Sequence, residues 1–124
     1  VLPYSRKVLA AVKGRVPTIH FGTGNPSLYP LLKEAGGTTI GVDWRTPIDE
    51  MWDRLGDDVG VMGNLEPAML LAPREVMNAR ASEILRRTQG RRGHIFNLGH
   101  GIMPTATVAQ TKALVDHVHE VSSG

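Results

Sequence analysis

Apolar residues fall along this chain in short blocks, and between the blocks they recur at the spacing of helices. The blocks predict strands over Val16–Phe21, Thr38–Val42, Val59–Met62 and His94–Leu98. Helices are predicted over Pro3–Lys13, about Ser27–Ala35, Pro47–Leu55, Pro73–Thr88 and about Thr107–Val121. Gly36-Gly37 reads as a C-cap, and Thr46-Pro47 as a capping residue followed by proline at the first helical position. On the fourth of these helices Val76, Ala79, Ile84 and Leu85 approximate the inward face. On the last, Val108, Thr111, Leu114, Val115, Val118 and Val121 do so. Four strand-then-helix units in succession imply an α/β fold with a parallel sheet and right-handed crossovers. Each strand runs into a loop bearing glycine, asparagine or aspartate. That is the layout of half a (β/α)8 barrel, whose sites gather at the carboxyl ends of strands. Four strands are too few to close one. The inner face is expected to stay open unless a missing half or a second copy covers it.

Bulk composition narrows the classes without choosing among them. The chain has 124 residues and a formal net charge of +2, too small to imply a nucleic-acid partner. Arg86, Arg87, Arg91 and Arg92 cluster where a helix ends, so their expected role is to complement its exposed carbonyls. No cysteine is present, which excludes disulfides and thiolate metal sites and fits a cytoplasmic setting. No apolar run approaches the roughly 18 residues of a membrane span. The chain opens on Val1, inside a predicted helix, which suggests a piece of something longer.

Candidate chemistry concentrates in Gly93-His94-Ile95-Phe96-Asn97-Leu98-Gly99-His100-Gly101. An apolar strand that breaks into glycines around a histidine presents a side chain, and the glycines leave room for a ligand near the backbone. His100 is therefore the first candidate. Asp43, Asn64 and Asn97 lie at or just beyond the ends of three strands, Gly22 follows the first, and all could converge on one rim. Gly22-Thr23-Gly24, with Asp43 downstream, resembles a dinucleotide fingerprint. That alternative fits poorly, because Ser27 holds the third glycine position and Pro26 and Pro30 interrupt the receiving helix. His117 and His119, two apart on a helix, cannot share a metal and read as a solvated helix end. His94 and His20 read as structural or core histidines, the methionines as core filler, and Trp44 and Trp52 as packing anchors.

Four stretches stand out together: Gly41-Val42-Asp43-Trp44-Arg45-Thr46-Pro47, Gly63-Asn64-Leu65-Glu66-Pro67, His94–Gly101, and Leu114-Val115-Asp116 with Val118-His119. On these the chain resembles the C-terminal part of the uroporphyrinogen decarboxylase family. The resemblance covers essentially the whole chain as one segment, 1–124. It implies the C-terminal half of a TIM barrel, part of a homodimeric, cytoplasmic enzyme of porphyrin and haem biosynthesis without metal or organic cofactor. Such an enzyme removes carboxylate from the four acetate arms of uroporphyrinogen, giving coproporphyrinogen and carbon dioxide. By this resemblance His100 would be the pocket histidine, catalytic and substrate-binding; Asp43, Asn64, Asn97 and Gly22 are further candidate substrate contacts by their place at the strand ends. The family's substrate-loop arginines, its aspartate for the pyrrole nitrogens and its tyrosine have no counterpart here; its pocket serine lies just upstream of Val1. After Pro104 the family runs acidic-threonine-proline, whereas this chain has Thr105-Ala106-Thr107, so Thr105 or Thr107 must cap the last helix.

By itself the segment is expected to be catalytically silent, since one histidine cannot hold an octacarboxylate that calls for arginines. A related branch transfers methyl groups with thiolate-bound zinc, a reading the lack of cysteine disfavours. A folded, non-catalytic half-barrel that associates with itself is a further alternative.

Overall fold

In the computed structural model, which describes residues 1–123, the four strands form one parallel sheet in the order β1-β2-β3-β4. They are β1 (Ile19–Phe21), β2 (Thr39–Gly41), β3 (Gly60–Met62) and β4 (His94–Ile95). The helices are α1 (Leu2–Val12), α2 (Tyr29–Ala35), α3 (Ile48–Leu55), α4 (Arg74–Arg87) and α5 (Val108–Ser122). Sequential order with every strand parallel places α2, α3 and α4, the helices that connect the strands, on one face, as in the wall of a (β/α)8 barrel. The outer edges of β1 and β4 have no strand partner among the described residues.

The strands are shorter than expected, for a readable reason at β1. Pro17 has no N–H to give a ladder, so regular pairing starts after it. Thr18 and Thr38 make the connection instead, each side chain taking the other's backbone N–H, at 2.9 and 3.2 Å. At β4 the ladder thins but continues: the Leu65 N–H donates to the Asn97 carbonyl at 3.0 Å, and Leu65 pairs with Leu98.

Register divides the side chains between two faces. His20, Ile40, Val61 and His94 are aligned across the sheet and point towards the helices. Ile40 and Val61 there meet Tyr29, Val42, Ile48, Met51, Trp52 and Leu55 in the first core cluster. The adjacent row, Phe21, Gly41, Met62 and Ile95, lies on the concave face. Ile19, Phe21 and Ile95 are 50, 41 and 44 % exposed, so that face is an open apolar surface. A second cluster gathers Leu65, Leu70, Met77, Ala81, Leu114 and Val118 between α4 and α5.

Helix faces differ in detail from the expectation. On α4 the buried stripe is Met77 and Ala81, and Val76 is exposed. Small Ala81 belongs to the cluster in which α4 meets Leu114 and Val118 of α5, a docking partner the local pattern does not specify. On α5 only Leu114 and Val118 are buried, whereas Val108, Val115 and Val121 are exposed. A 3-10 turn over Pro67–Leu71, unforeseen in the sequence, buries Pro67 and Leu70.

Caps and polar ties complete the frame. Thr107, not Thr105, caps α5, accepting from the Gln110 N–H at 3.1 Å. Thr46 caps nothing; Pro47 precedes α3, and the Thr46 carbonyl accepts from Asn64 instead. His117 is not a free helix-end group, because its Nε2 lies 2.8 Å from Ser82 Oγ and ties α5 to α4. The arginines do more than face carbonyls. Arg87 bonds Glu83 at 2.8 Å and Asp49 at 3.3 Å, which links α4 to α3 and holds the Glu83 carboxyl below its usual range. Arg91 pairs with Asp53 and lies 5.1 Å from the Trp52 ring centroid.

Candidate functional site

The four strand ends open towards the concave side, but their polar residues divide into two groups. His100 follows β4, is exposed, and its ring has no hydrogen-bond partner among the described residues. Its edge approaches Phe21 of β1, with centroids 6.4 Å apart and planes at 76°. The sheet thus curves enough for residues of its two outermost strands to meet above the apolar floor. Asn97 is also exposed here, with Nδ2 3.3 Å from the Met62 sulfur and Oδ1 accepting from the Leu98 N–H at 2.8 Å. Phe21 is the site residue that motif reading missed. Its signal was parity, since Ile19 and Phe21 alternate with His20 and share one face.

Asp43, Asn64 and Gly22 serve the scaffold. Asp43 is 1 % exposed. Its Oδ1 accepts from the Arg45 N–H at 2.8 Å, and its Oδ2 from Arg45 Nη1 at 2.8 Å and from the Thr23 hydroxyl. The Asp43 N–H donates to the Tyr29 hydroxyl at 2.7 Å. Burial pushes the Tyr29 phenol up, and that N–H opposes the shift. Asn64 is buried and spends its amide hydrogens on the carbonyls of Asp43, at 3.0 Å, and Thr46. At Gly22 the space a side chain would occupy belongs to Leu32, whose Cδ1 is 2.8 Å from the position of a Cβ. Each of the three thus has a structural role in the frame of the rim. A buried polar group must be satisfied, and neighbouring backbone was the nearer partner.

Gly99 is also not a gap for a ligand. A Cβ there would sit 2.3 Å from Trp44 N and 2.6 Å from Trp44 Cα, so the glycine lets two strand-end loops touch. Around Gly101 the space is open.

The remaining histidines are structural. His20 Nδ1 bonds the Leu32 carbonyl at 2.9 Å. His94 is held between the Gly63 carbonyl (Nε2, 2.9 Å) and the Thr88 hydroxyl (Nδ1, 3.0 Å). Its neutral form suits both, with Nε2–H donating and Nδ1 accepting. Burial lowers the His94 pKa, opposed by the Gly63 bond. The unfolded chain then binds a proton that the folded one resists. Stability from His94 is complete above the unfolded value of about 6.5 and is lost as pH falls from there towards the lowered folded value. Urea midpoints measured between pH 7.5 and 5.5 should fall less steeply for His94→Gln than for the parent; equal slopes would exclude the effect.

No group of three or more His, Asp or Glu among the described residues is placed to hold a metal ion. Among the described residues, no helix is long and apolar enough to cross a membrane. The arrangement is an apolar concave floor with a hydrogen-bonding imidazole at its rim. Arg45, the cation at this rim, is committed to Asp43 and stacks 4.6 Å from the Trp44 centroid.

The profile of the family described as uroporphyrinogen decarboxylase (URO-D) matches residues 1–121. The uroporphyrinogen decarboxylase of Sorangium cellulosum is 50% identical over 122 residues, which is 98% of this chain and 35% of that protein. That of Koribacter versatilis is 45% identical over 125 residues, 99% of this chain and 36% of the relative. The chain thus spans about 35% of the length of these relatives. Among solved structures, a methyltransferase from Methanosarcina mazei superposes with a TM-score of 0.82 at 21% identity, covering 97% of this chain and 35% of that one. At that identity the likeness carries the fold alone.

Proposed function

The chain belongs to the uroporphyrinogen decarboxylase family, and from that premise we propose that residues 1–124 are one segment, the C-terminal half of a barrel that decarboxylates uroporphyrinogen. One observation carries the reading at the site. His100 stands at the carboxyl end of the last strand, without a partner, against an apolar concave floor of Phe21, Met62 and Ile95.

The substrate's pyrrole supplies the electron sink. Protonation at a ring carbon makes the ring an acceptor, the bond to the acetate carboxylate breaks, and its electron pair forms a double bond from the methylene carbon to the ring as carbon dioxide leaves; the methylene carbon then takes a proton and the ring carbon gives up the one it had gained. Each arm consumes one proton overall and exchanges CH2COO− for CH3. The floor keeps water from the reacting arm, and His100 donates a hydrogen bond to carboxylate or positions a proton. Asn97 supplies a second polar group beside it. In this reading the reaction needs no metal or organic cofactor, and the whole protein is a cytoplasmic homodimer, as the family resemblance implies. The arginines that hold the other carboxylates belong to the barrel's other half.

The test is turnover of uroporphyrinogen by the longer protein that carries this segment, followed chromatographically as coproporphyrinogen. Conversion is expected, and a folded longer protein yielding no decarboxylated product would sink the reading. The 124-residue chain alone is expected to give none. Were that chain to fold, self-associate and bind no porphyrinogen, a non-catalytic scaffold would be favoured.

A further inference from the structure

Asp43 is buried at a strand end, and its carboxylate and backbone groups are all bonded within the protein. It organises a turn. Its two carboxylate oxygens take the Arg45 N–H and the Arg45 guanidinium, each at 2.8 Å, and the Thr23 hydroxyl joins the second. Its own N–H is anchored on Tyr29 Oη at 2.7 Å, and its carbonyl on Asn64 Nδ2 at 3.0 Å. Trp44, the next residue, is therefore fixed from both sides.

The backbone of Trp44 is what meets the loop after β4. Its N–H donates to the Gly99 carbonyl at 3.3 Å, and the Gly99 N–H donates to Leu65 at 2.7 Å. Contact is so close that no Cβ fits at position 99. Beyond Gly99 stands His100, whose ring has no hydrogen bond among the described residues and meets Phe21 edge-on. An exposed imidazole with no hydrogen bond takes its direction from its backbone.

We propose that Asp43 is a positioning residue for His100, acting through the Asp43–Arg45 turn and the Trp44–Gly99 backbone contact. The carboxylate never touches substrate. It sets where the Trp44 backbone lies, and that backbone sets the Gly99–His100 peptide. The activity arm of its test rests on the decarboxylase reading above; a spectroscopic arm does not.

The spectroscopic arm follows the imidazole resonances of histidine-labelled protein, with His100 assigned by its loss in His100→Ala. Asp43→Asn keeps the side chain's shape but removes the charge that holds Arg45. Thr23→Val removes one donor to the same carboxylate and is the milder change, in case the first fails to fold. Both are expected to move the His100 resonance and leave in place that of His117, which is bonded to Ser82 between α5 and α4. A folded variant of either kind with an unmoved His100 resonance overturns the proposal.

The activity arm is a double-mutant cycle in the longer protein. Asp43→Asn should lower kcat on the order of ten- to a hundred-fold, as small misplacements of catalytic groups do, with little change in KM. On a His100→Ala background the same substitution should cost less than about two-fold, because the two residues act as a unit. Effects that multiply would show that Asp43 acts independently of His100 and defeat the proposal. A parent protein without decarboxylase activity would instead defeat the reading of function, and the resonance shifts would still decide the role of Asp43.

Discussion

Replacing His100 with alanine in the longer protein is expected to lower turnover of uroporphyrinogen by about two to four orders of magnitude, the range of a positioned acid or base. Folding should hardly change. The imidazole makes no hydrogen bond among the described residues, is exposed, and touches Phe21 only by its ring edge. Exposed side chains away from caps and networks contribute within about 0.5 kcal/mol, so the melting temperature should move by no more than about 2 °C. Steady-state kinetics and a thermal scan on the same preparation separate the two quantities. A fully active His100→Ala would remove the residue from the chemistry. One that no longer folds would show that its contacts were structural.

The largest expected loss of stability lies on the other face of the sheet. Trp52 is 1 % exposed, packs with Ile40, Val61, Met51 and Leu55, and has the Arg91 guanidinium 5.1 Å from its ring centroid and the tilted His94 ring at 6.3 Å. Trp52→Ala should cost about 3–5 kcal/mol, the range for truncating a buried large aromatic, since the rigid strands β2 and β3 cannot collapse into the space. Against a typical total of about 5–15 kcal/mol this is severe. Trp52→Phe should cost much less. The indole Nε1 is buried without a partner, so phenylalanine forfeits volume but no hydrogen bond. Urea unfolding of the two variants measures the difference; equal midpoints would mean that the packing argument is wrong.

The division of labour between the two faces explains where reading the residues succeeded. Parallel strands alternate their side chains, so His20, Ile40 and Val61 on one parity and Phe21 and Met62 on the other were separable in principle. The glycine-histidine end of β4 was legible because few structural demands produce it. Its stated reason needed correction: Gly99 makes room for Trp44, not for a ligand. Asp43, Asn64 and Asn97 looked alike as polar residues at strand ends. Only Asn97 faces the open side, while Asp43 and Asn64 turn inward to satisfy backbone groups. A motif cannot show that choice, because partners such as Tyr29 and Thr23 lie 14 and 20 residues away from Asp43 in the chain. Helix faces failed for a similar reason. Val76 and Met77 are neighbours in sequence, and which of them is buried depends on where α5 docks.

The alternation of strands and helices, the parallel sheet, the family resemblance and the place of His100 at a strand end were all legible along the chain. These are local matters: apolar period, proline and glycine, and a short motif in one continuous stretch. Tertiary structure decided which polar groups at that rim are free and which are consumed. It set Phe21 against His100, gave Asp43 to Arg45 and Thr23, and closed Gly99 onto Trp44. The physical reason is that a buried donor or acceptor takes the nearest available partner, and nearness across a curved sheet is a property of the fold, not of the order of residues.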